Sequence, residues 1–180
     1  MAADAFLREW TALTHELTSL VETALEVEPP GASLPAWDAM RAKYGVRALG
    51  EDERLAEAQR DGLTKGAPVS EVKACLDVLA RLASKRLDPL RASLSQEQSQ
   101  LLERSLHDFT AQAVSHYRTK ATEKKKRRMF ASAKALAEQH QYGTSHTAKG
   151  YVLACGTCHG PRLGEALHCA FCGGDLEVMS

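Results

Sequence analysis

Two pairs of cysteines near the C-terminus constrain this chain more than any other feature. Cys155 and Cys158 form one C-x-x-C pair, Cys169 and Cys172 form a second, and ten residues separate the pairs. Each pair can wrap one side of a tetrahedral ion in a tight turn, and zinc suits four thiolates with no open coordination position. The spacing therefore predicts one structural Zn²⁺ ion, held in a small segment whose folding depends on the metal.

Other chemistries share parts of this pattern. The run Cys155-Gly-Thr-Cys158-His159 also matches C-x-x-C-H haem attachment, but the second cysteine pair and the lack of an export signal argue against haem. A thioredoxin-like redox pair needs a βαβ context, which the sequence does not predict. Iron in a rubredoxin-like site is chemically possible, but only Tyr151 and Phe171 could supply aromatic packing around an electron-transfer centre, which argues against iron. We expect His159 and His168 at the surface or hydrogen-bonded to ligands, not on the ion.

The remaining cysteine and the start of the chain indicate a reducing compartment. Five cysteines is an odd number, and Cys75 falls in an apolar helical stretch where a buried free thiol is expected. The start, Met1-Ala2-Ala3-Asp4, lacks the basic and apolar regions of a secretory signal. No apolar run reaches the roughly 18 residues that span a bilayer. We therefore expect a cytoplasmic protein that does not bind membranes.

Before the cysteines, the sequence is rich in helix-forming residues and poor in β-branched and aromatic ones. Heptad spacing predicts a first helix over residues 3–27, ended by Pro29-Pro30. Two short helices are expected, from Ser33 and Pro35 to Tyr44 and from Glu51 to Leu63. A further helix with an apolar stripe is expected to start at Val69, with a kink or restart at Asp88-Pro89. The buried stripe of the first helix is expected to contain Phe6, Trp10, Leu13, Leu17, Leu20 and Ala24.

A capping box at Ser95 and Gln98 predicts one long last helix that continues to about His140. The fold class is therefore mainly α, a helical bundle or hairpin with a long C-terminal helix, followed by a small β zinc ribbon. The expected organisation is a helical domain over residues 1–142, a linker over 143–150 and the ribbon over 151–180.

The C-terminal segment reads YVLACGTCHG, then LHCAFCGGDLEV after a short insert. With its preceding helical region and glycine-punctuated linker, it resembles the small bacterial zinc-ribbon-containing proteins of unknown function. The specific resemblance covers about residues 142–178, and the helical part is similar in character and length. It implies a rubredoxin-like ribbon with Cys155, Cys158, Cys169 and Cys172 as metal ligands. It implies no activity, because the family has none assigned.

The sequence carries no standard catalytic pattern. The phosphate loop, the dinucleotide-binding glycines, H-E-x-x-H and G-x-S-x-G are all missing. Most carboxylates fall on predicted solvent-facing sides of helices. Four thiolates would also close the zinc to substrates. We therefore expect a protein that is not an enzyme.

Charge is unevenly spread along a chain whose net charge is zero. Residues 1–64 contain 6 Lys/Arg and 12 Asp/Glu, whereas residues 116–150 contain 9 and 2. The run over 118–128 has one apolar residue and cannot bury a side in a core. It can balance the acidic first third, within one chain or between two copies, or contact nucleic-acid phosphates. Its basic residues are Arg118, Lys120, Lys124, Lys125, Lys126, Arg127 and Arg128.

Two functional hypotheses follow. The first is a protein–protein adaptor or regulator that uses its helices and ribbon. The alternative is a DNA- or RNA-binding protein that uses the basic segment 118–128 together with the ribbon. The acidic first third favours the adaptor, because it would repel a polyanion.

Overall fold

The computed structural model describes residues 2–123, 154–161 and 168–175. Its first helix, α1, spans Ala2–Leu25. The predicted heptad stripe of α1 is confirmed, because each of its six members is at most 1% exposed. Burial of these large apolar side chains supplies the main stabilising free energy of the helix.

Two short helices follow. Helix α2 spans Pro35–Lys43 and starts with the predicted proline. Ser33 is not its cap: the Ser33 hydroxyl donates to Asp38 Oδ2 at 2.8 Å instead. Helix α3 spans Glu51–Arg60, three residues shorter at its end than expected.

Two long helices complete the body. Helix α4 spans Val69–Leu87 and passes into a 3₁₀ helix over Asp88–Ser93, so the predicted change at Asp88-Pro89 is confirmed. Helix α5 spans Gln96–Thr122 and starts with the predicted capping box. Helices α1, α4 and α5 pack against one another in pairs, and α2 lies against α1. The body is therefore a helical bundle.

The loop between α3 and α4 hydrogen-bonds to the C-terminal ends of two long helices, α1 and α5. Its Gly66 and Ala67 amides donate to the carbonyls of Val27 and Ala24, at 2.7 and 2.9 Å, beside the end of α1. Its Thr64 amide donates to the Ala121 carbonyl at 2.8 Å, at the end of α5. Carbonyls in a last helical turn have no partner within the helix, so this loop satisfies them.

The end of α5 corrects the sequence expectation. A continuous helix to His140 was expected, but α5 ends at Thr122, and Glu123 has extended dihedral angles, φ −60° and ψ 114°. The Ala121 carbonyl accepts hydrogen bonds from the loop, and the Thr64 hydroxyl lies 2.9 Å from the Glu123 carbonyl oxygen. These contacts hold the end of α5 in place against the loop. Lys124, Lys125, Lys126, Arg127 and Arg128 lie outside the described residues, as does the predicted linker 143–150.

In the described part of the predicted ribbon, β structure consists of two isolated antiparallel bridges, Ala154 with Pro161 and His168 with Asp175. The domain boundaries stay predictions. Among the described helices, none combines the length and the apolar character needed to cross a bilayer.

Candidate metal centre

The two cysteine pairs lie in two turns of the same construction. In the first turn, the Cys155 amide donates to the Gly160 carbonyl at 2.8 Å, and the His159 amide donates to the Cys155 carbonyl at 2.9 Å. The second turn has the same two hydrogen bonds. The Cys169 amide donates to the Gly174 carbonyl at 2.9 Å, and the Gly173 amide donates to the Cys169 carbonyl at 2.8 Å. We call these turns knuckle 1 (154–161) and knuckle 2 (168–175).

The residue after the second cysteine of each knuckle has positive φ. Gly173 has φ +70°, and His159 has φ +58°. Glycine adopts this left-handed conformation freely, whereas a residue with a Cβ atom is strained by about 1 kcal/mol. This shared conformation lets the backbone of each knuckle reverse direction, so that both cysteines of the knuckle face one point. His159 therefore occupies in knuckle 1 the turn position that glycine fills in knuckle 2.

The knuckles bring all four predicted ligands together. The Sγ atoms of Cys155, Cys158, Cys169 and Cys172 all lie within 4.8 Å of one another. Two of these separations join the two knuckles, with 3.8 Å between Cys155 and Cys172 and 3.6 Å between Cys158 and Cys169. These distances are far longer than a disulfide bond of about 2.05 Å, and the thiols are free. A zinc–sulfur bond of about 2.3 Å gives tetrahedral edges of about 3.8 Å, so the sulfur positions fit a tetrahedral ion.

The surroundings of the sulfurs favour thiolate at one of them first. Burial acts to raise the pKa of Cys155, but hydrogen bonds from the backbone amides of Cys158 and Thr157, together with those from the neighbouring sulfurs, outweigh it and lower that pKa to about 7. Burial and the neighbouring sulfurs raise the pKa of Cys158 to about 12, and burial raises that of Cys169. Four thiolates repel one another at these distances. A divalent cation at the centre would relieve that repulsion, which is why such donor sets bind metals.

The histidines beside the ligands are not part of the donor group. His159 and His168 are exposed, and His168 Nδ1 lies 2.9 Å from Asp175 Oδ1. Phe171, an aromatic residue of the iron alternative, packs on the helical body: its ring stacks on Phe6 with centroids 5.4 Å apart. Four sulfurs bind either zinc or iron, so the arrangement indicates a metal ion without fixing which one.

The structure does not bring the described basic residues to the metal centre. Arg118 and Lys120 lie in the last turns of α5, and Lys120 Nζ is 3.2 Å from Glu123 Oε1. Knuckle 2 touches the other end of α5, where Gln98 Nε2 donates to the Ala170 carbonyl at 3.3 Å. Twenty helical residues separate Gln98 from Arg118, which corresponds to about 30 Å.

A buried polar cluster in the body was not expected from the sequence. Glu71 is 2% exposed and accepts hydrogen bonds from Trp37 Nε1, the Leu49 amide and Arg54 Nε, at 2.8, 2.9 and 3.1 Å. Arg54 also donates to Asp38 Oδ1 at 3.0 Å. Glu71 precedes Cys75 by one helical turn on the apolar stripe of α4. This position on the apolar stripe was the sequence signal that the Glu71 carboxylate lies on the buried side of α4.

Cys75 itself matches its prediction. Its side chain is fully buried, and burial raises the pKa of the thiol to about 12. It is an apolar core residue and is separate from the metal centre.

No protein-family model matches the chain, and comparisons with curated proteins and with solved structures find no significant match.

Proposed function

We propose that Cys155, Cys158, Cys169 and Cys172 hold one structural zinc ion, and that the protein is a non-catalytic adaptor or regulator. The observation that carries the metal proposal is the approach of four sulfurs to within 4.8 Å, with inter-knuckle distances near a tetrahedral edge. Zinc is favoured over iron because thiolate ribbons in chains with reduced cysteines commonly use zinc for structure alone. Bound zinc would supply folding free energy to the two knuckles.

A binding role is supported by what such a centre can do. Four thiolates fill a tetrahedral ion and leave no position for water or substrate, so the metal would stabilise the ribbon rather than activate a bond. The sequence contributes no recognised catalytic pattern beside it. A ribbon attached to a helical bundle offers surfaces for another protein, and we propose such a partner.

Metal content tests the first part of the proposal. We expect protein purified without chelator to contain one zinc per chain by elemental analysis. The Cys155→Ser/Cys169→Ser double variant should lose the zinc, because each knuckle loses a ligand. Cys75→Ala is the matched control, since this cysteine is buried in the helical core. Absence of zinc from the wild type, or full retention in the double variant, would contradict the proposal.

Partner capture tests the second part. The tagged wild-type chain would be used to capture partners from native lysate, with and without nuclease treatment. An adaptor should retain a defined protein partner after nuclease treatment, and purified partner should bind the chain directly. Capture that disappears with nuclease would favour the nucleic-acid alternative. Turnover of a substrate by the purified chain would contradict the non-catalytic role.

A further inference from the structure

The candidate metal centre packs against the N-terminal ends of two helices of the body, α1 and α5. Phe171 lies between the ligands Cys169 and Cys172, and its ring stacks on Phe6 of α1, with planes 3° apart. Phe6 in turn stacks on Trp10, with centroids 6.4 Å apart. Phe171 thus packs against both the cysteine cluster and the helical core. The aromatic series continues from knuckle 2 into the bundle.

Knuckle 1 approaches the same place through Gly160, which is buried. A Cβ atom on Gly160 would lie 3.0 Å from Phe171 Cγ and 3.1 Å from Leu7 Cδ2. The space is therefore filled by a ring of the other knuckle and a side chain of α1. Gly156, in the same knuckle, is exposed, and a Cβ atom there would meet nothing within 4 Å.

A hydrogen bond adds to this contact from the start of α5. Gln98 Oε1 accepts from the Ser95 amide at 2.9 Å, which completes the capping box. The nitrogen of the Gln98 side-chain amide, Nε2, donates to the Ala170 carbonyl at 3.3 Å. Either Gln or Glu can complete a capping box, but only Gln can also donate. The residue type at 98 therefore serves the contact with the ribbon as well as the helix.

We propose that metal occupancy of the cysteine centre controls a latch, in which the two knuckles cover Phe6 and Leu7 and release them when the metal is lost. The inference rests on the proposed metal binding. Phe171 is held between two ligands, and Gly160 lies two residues after a third. Both contacts therefore depend on turns that the ion would hold in place. Without metal, two such short turns bury too little apolar surface to keep their shape. Release uncovers an apolar surface on the first turns of α1.

Hydrogen exchange of the full-length chain, measured with and without a zinc chelator, tests the latch. After chelation we expect faster exchange at residues 7–14 of α1 and 98–103 of α5, and a red shift of Trp10 fluorescence. Exchange in α4 should not change, because α4 is buried by α1 and α5. Unchanged exchange in α1 would overturn the latch. Faster exchange throughout α4 would also overturn it, because the ribbon would then be part of one cooperative core.

Variants that keep all four ligands separate the latch from metal binding. Gly160→Ala pushes on Phe171 and Leu7, whereas Gly156→Ala is the control in the same knuckle. Gln98→Glu keeps the cap, removes the donor and leaves the ribbon sequence intact. With one zinc still bound, Gly160→Ala and Gln98→Glu should speed exchange at residues 7–14 by about 2- to 10-fold, the scale of one aromatic contact or hydrogen bond. Gly156→Ala should match the wild type.

The two proposals fail in different ways. A wild-type chain without bound metal contradicts the metal proposal and removes the control of the latch by metal. A zinc-loaded wild type, together with Gly160→Ala and Gln98→Glu variants that exchange like it, keeps the metal proposal and overturns the latch.

Discussion

Glu71 is a buried carboxylate whose three hydrogen-bond partners come from α2, the α2–α3 loop and α3. Removing a charge from water is costly, and the cost is offset here by an indole N–H, a backbone N–H and a guanidinium. All three partners are donors. The geometry therefore requires an acceptor on both carboxylate oxygens, and Gln offers an acceptor on only one side.

We expect Glu71→Gln to lower the free energy of unfolding by about 3 kcal/mol, because its amide would face donors and leave Arg54 without its buried charge partner. Urea unfolding, monitored by circular dichroism, measures the change. Asp77→Asn is the control on the exposed side of the same helix and should stay within about 0.5 kcal/mol of the wild type. A loss below about 1 kcal/mol for Glu71→Gln would show that the cluster tolerates an unpaired donor.

Asp38 lies at the more exposed edge of this cluster, and its ionisation should make the free energy of unfolding depend on pH. Partial burial acts to raise the pKa of Asp38, but hydrogen bonds from Ser33, Arg54 and Arg41 outweigh it and hold the pKa below its usual 3.8. A carboxyl with a lowered folded pKa stabilises the protein above its unfolded pKa, and this contribution disappears as pH falls through the folded pKa.

The wild type should therefore lose more free energy of unfolding than Asp38→Asn when pH falls from about 5 to about 2. The side chain of Asp38 is 32% exposed, so we expect a difference of about 1 kcal/mol or less. Denaturant unfolding at several pH values gives both curves. Parallel curves for the two proteins would contradict the assignment.

At the scale of elements, the loop between α3 and α4 determines how the long helices meet. Gly66 has φ +102°, and a Cβ atom there would lie 2.3 Å from Tyr117 Oη of α5. The Tyr117 hydroxyl donates a short hydrogen bond to the Ala67 carbonyl. A small residue with unusual backbone angles is therefore required where the loop crosses the buried tyrosine.

Gly66→Ala should destabilise the protein by about 3 kcal/mol or more, because strain and a steric clash add. Gly62→Ala is the matched control: Gly62 also has positive φ, +65°, but a Cβ atom there would meet nothing within 4 Å. We expect a loss of only about 1 kcal/mol for the control. Thermal or urea unfolding compares the two, and similar losses would show that Tyr117 moves aside easily.

At the scale of the whole molecule, knuckle 2 and the described basic residues lie at opposite ends of α5. A nucleic-acid surface that combines both would have to extend over about 30 Å. The remaining basic residues, 124–128, lie outside the described residues. Their role is therefore a question for binding measurements.

We expect the wild type to bind DNA and RNA negligibly at physiological salt, with the basic run balancing the acidic first third. Replacing Lys124, Lys125, Lys126, Arg127 and Arg128 with Gln should then change stability or self-association, since Gln keeps helix propensity while removing charge. Fluorescence anisotropy with labelled duplex and single-stranded probes measures binding. Submicromolar binding that is lost in the Gln variant would contradict this expectation. Five phosphate contacts would give a log–log salt slope of about −4.5.

The sequence by itself determined where the helices start, and it determined the four candidate ligands. The heptad spacing of α1, the capping box of α5 and the breaks at Pro29-Pro30 and Asp88-Pro89 all act within a few residues. Such signals come from backbone sterics and from side chains one turn apart, so the order of the chain reveals them. The cysteine spacing is equally local within each knuckle.

Only the tertiary structure decided what depends on residues far apart in the chain. Thr64 contacts the end of α5 from 57 residues away, Trp37 donates to Glu71 from 34 away, and Gln98 donates to Ala170 from 72 away. Each contact exists because packed helices bring the groups together, and no periodicity encodes the distance between them. For this reason the sequence could predict that α5 starts at its capping box, but not that it ends against Thr64.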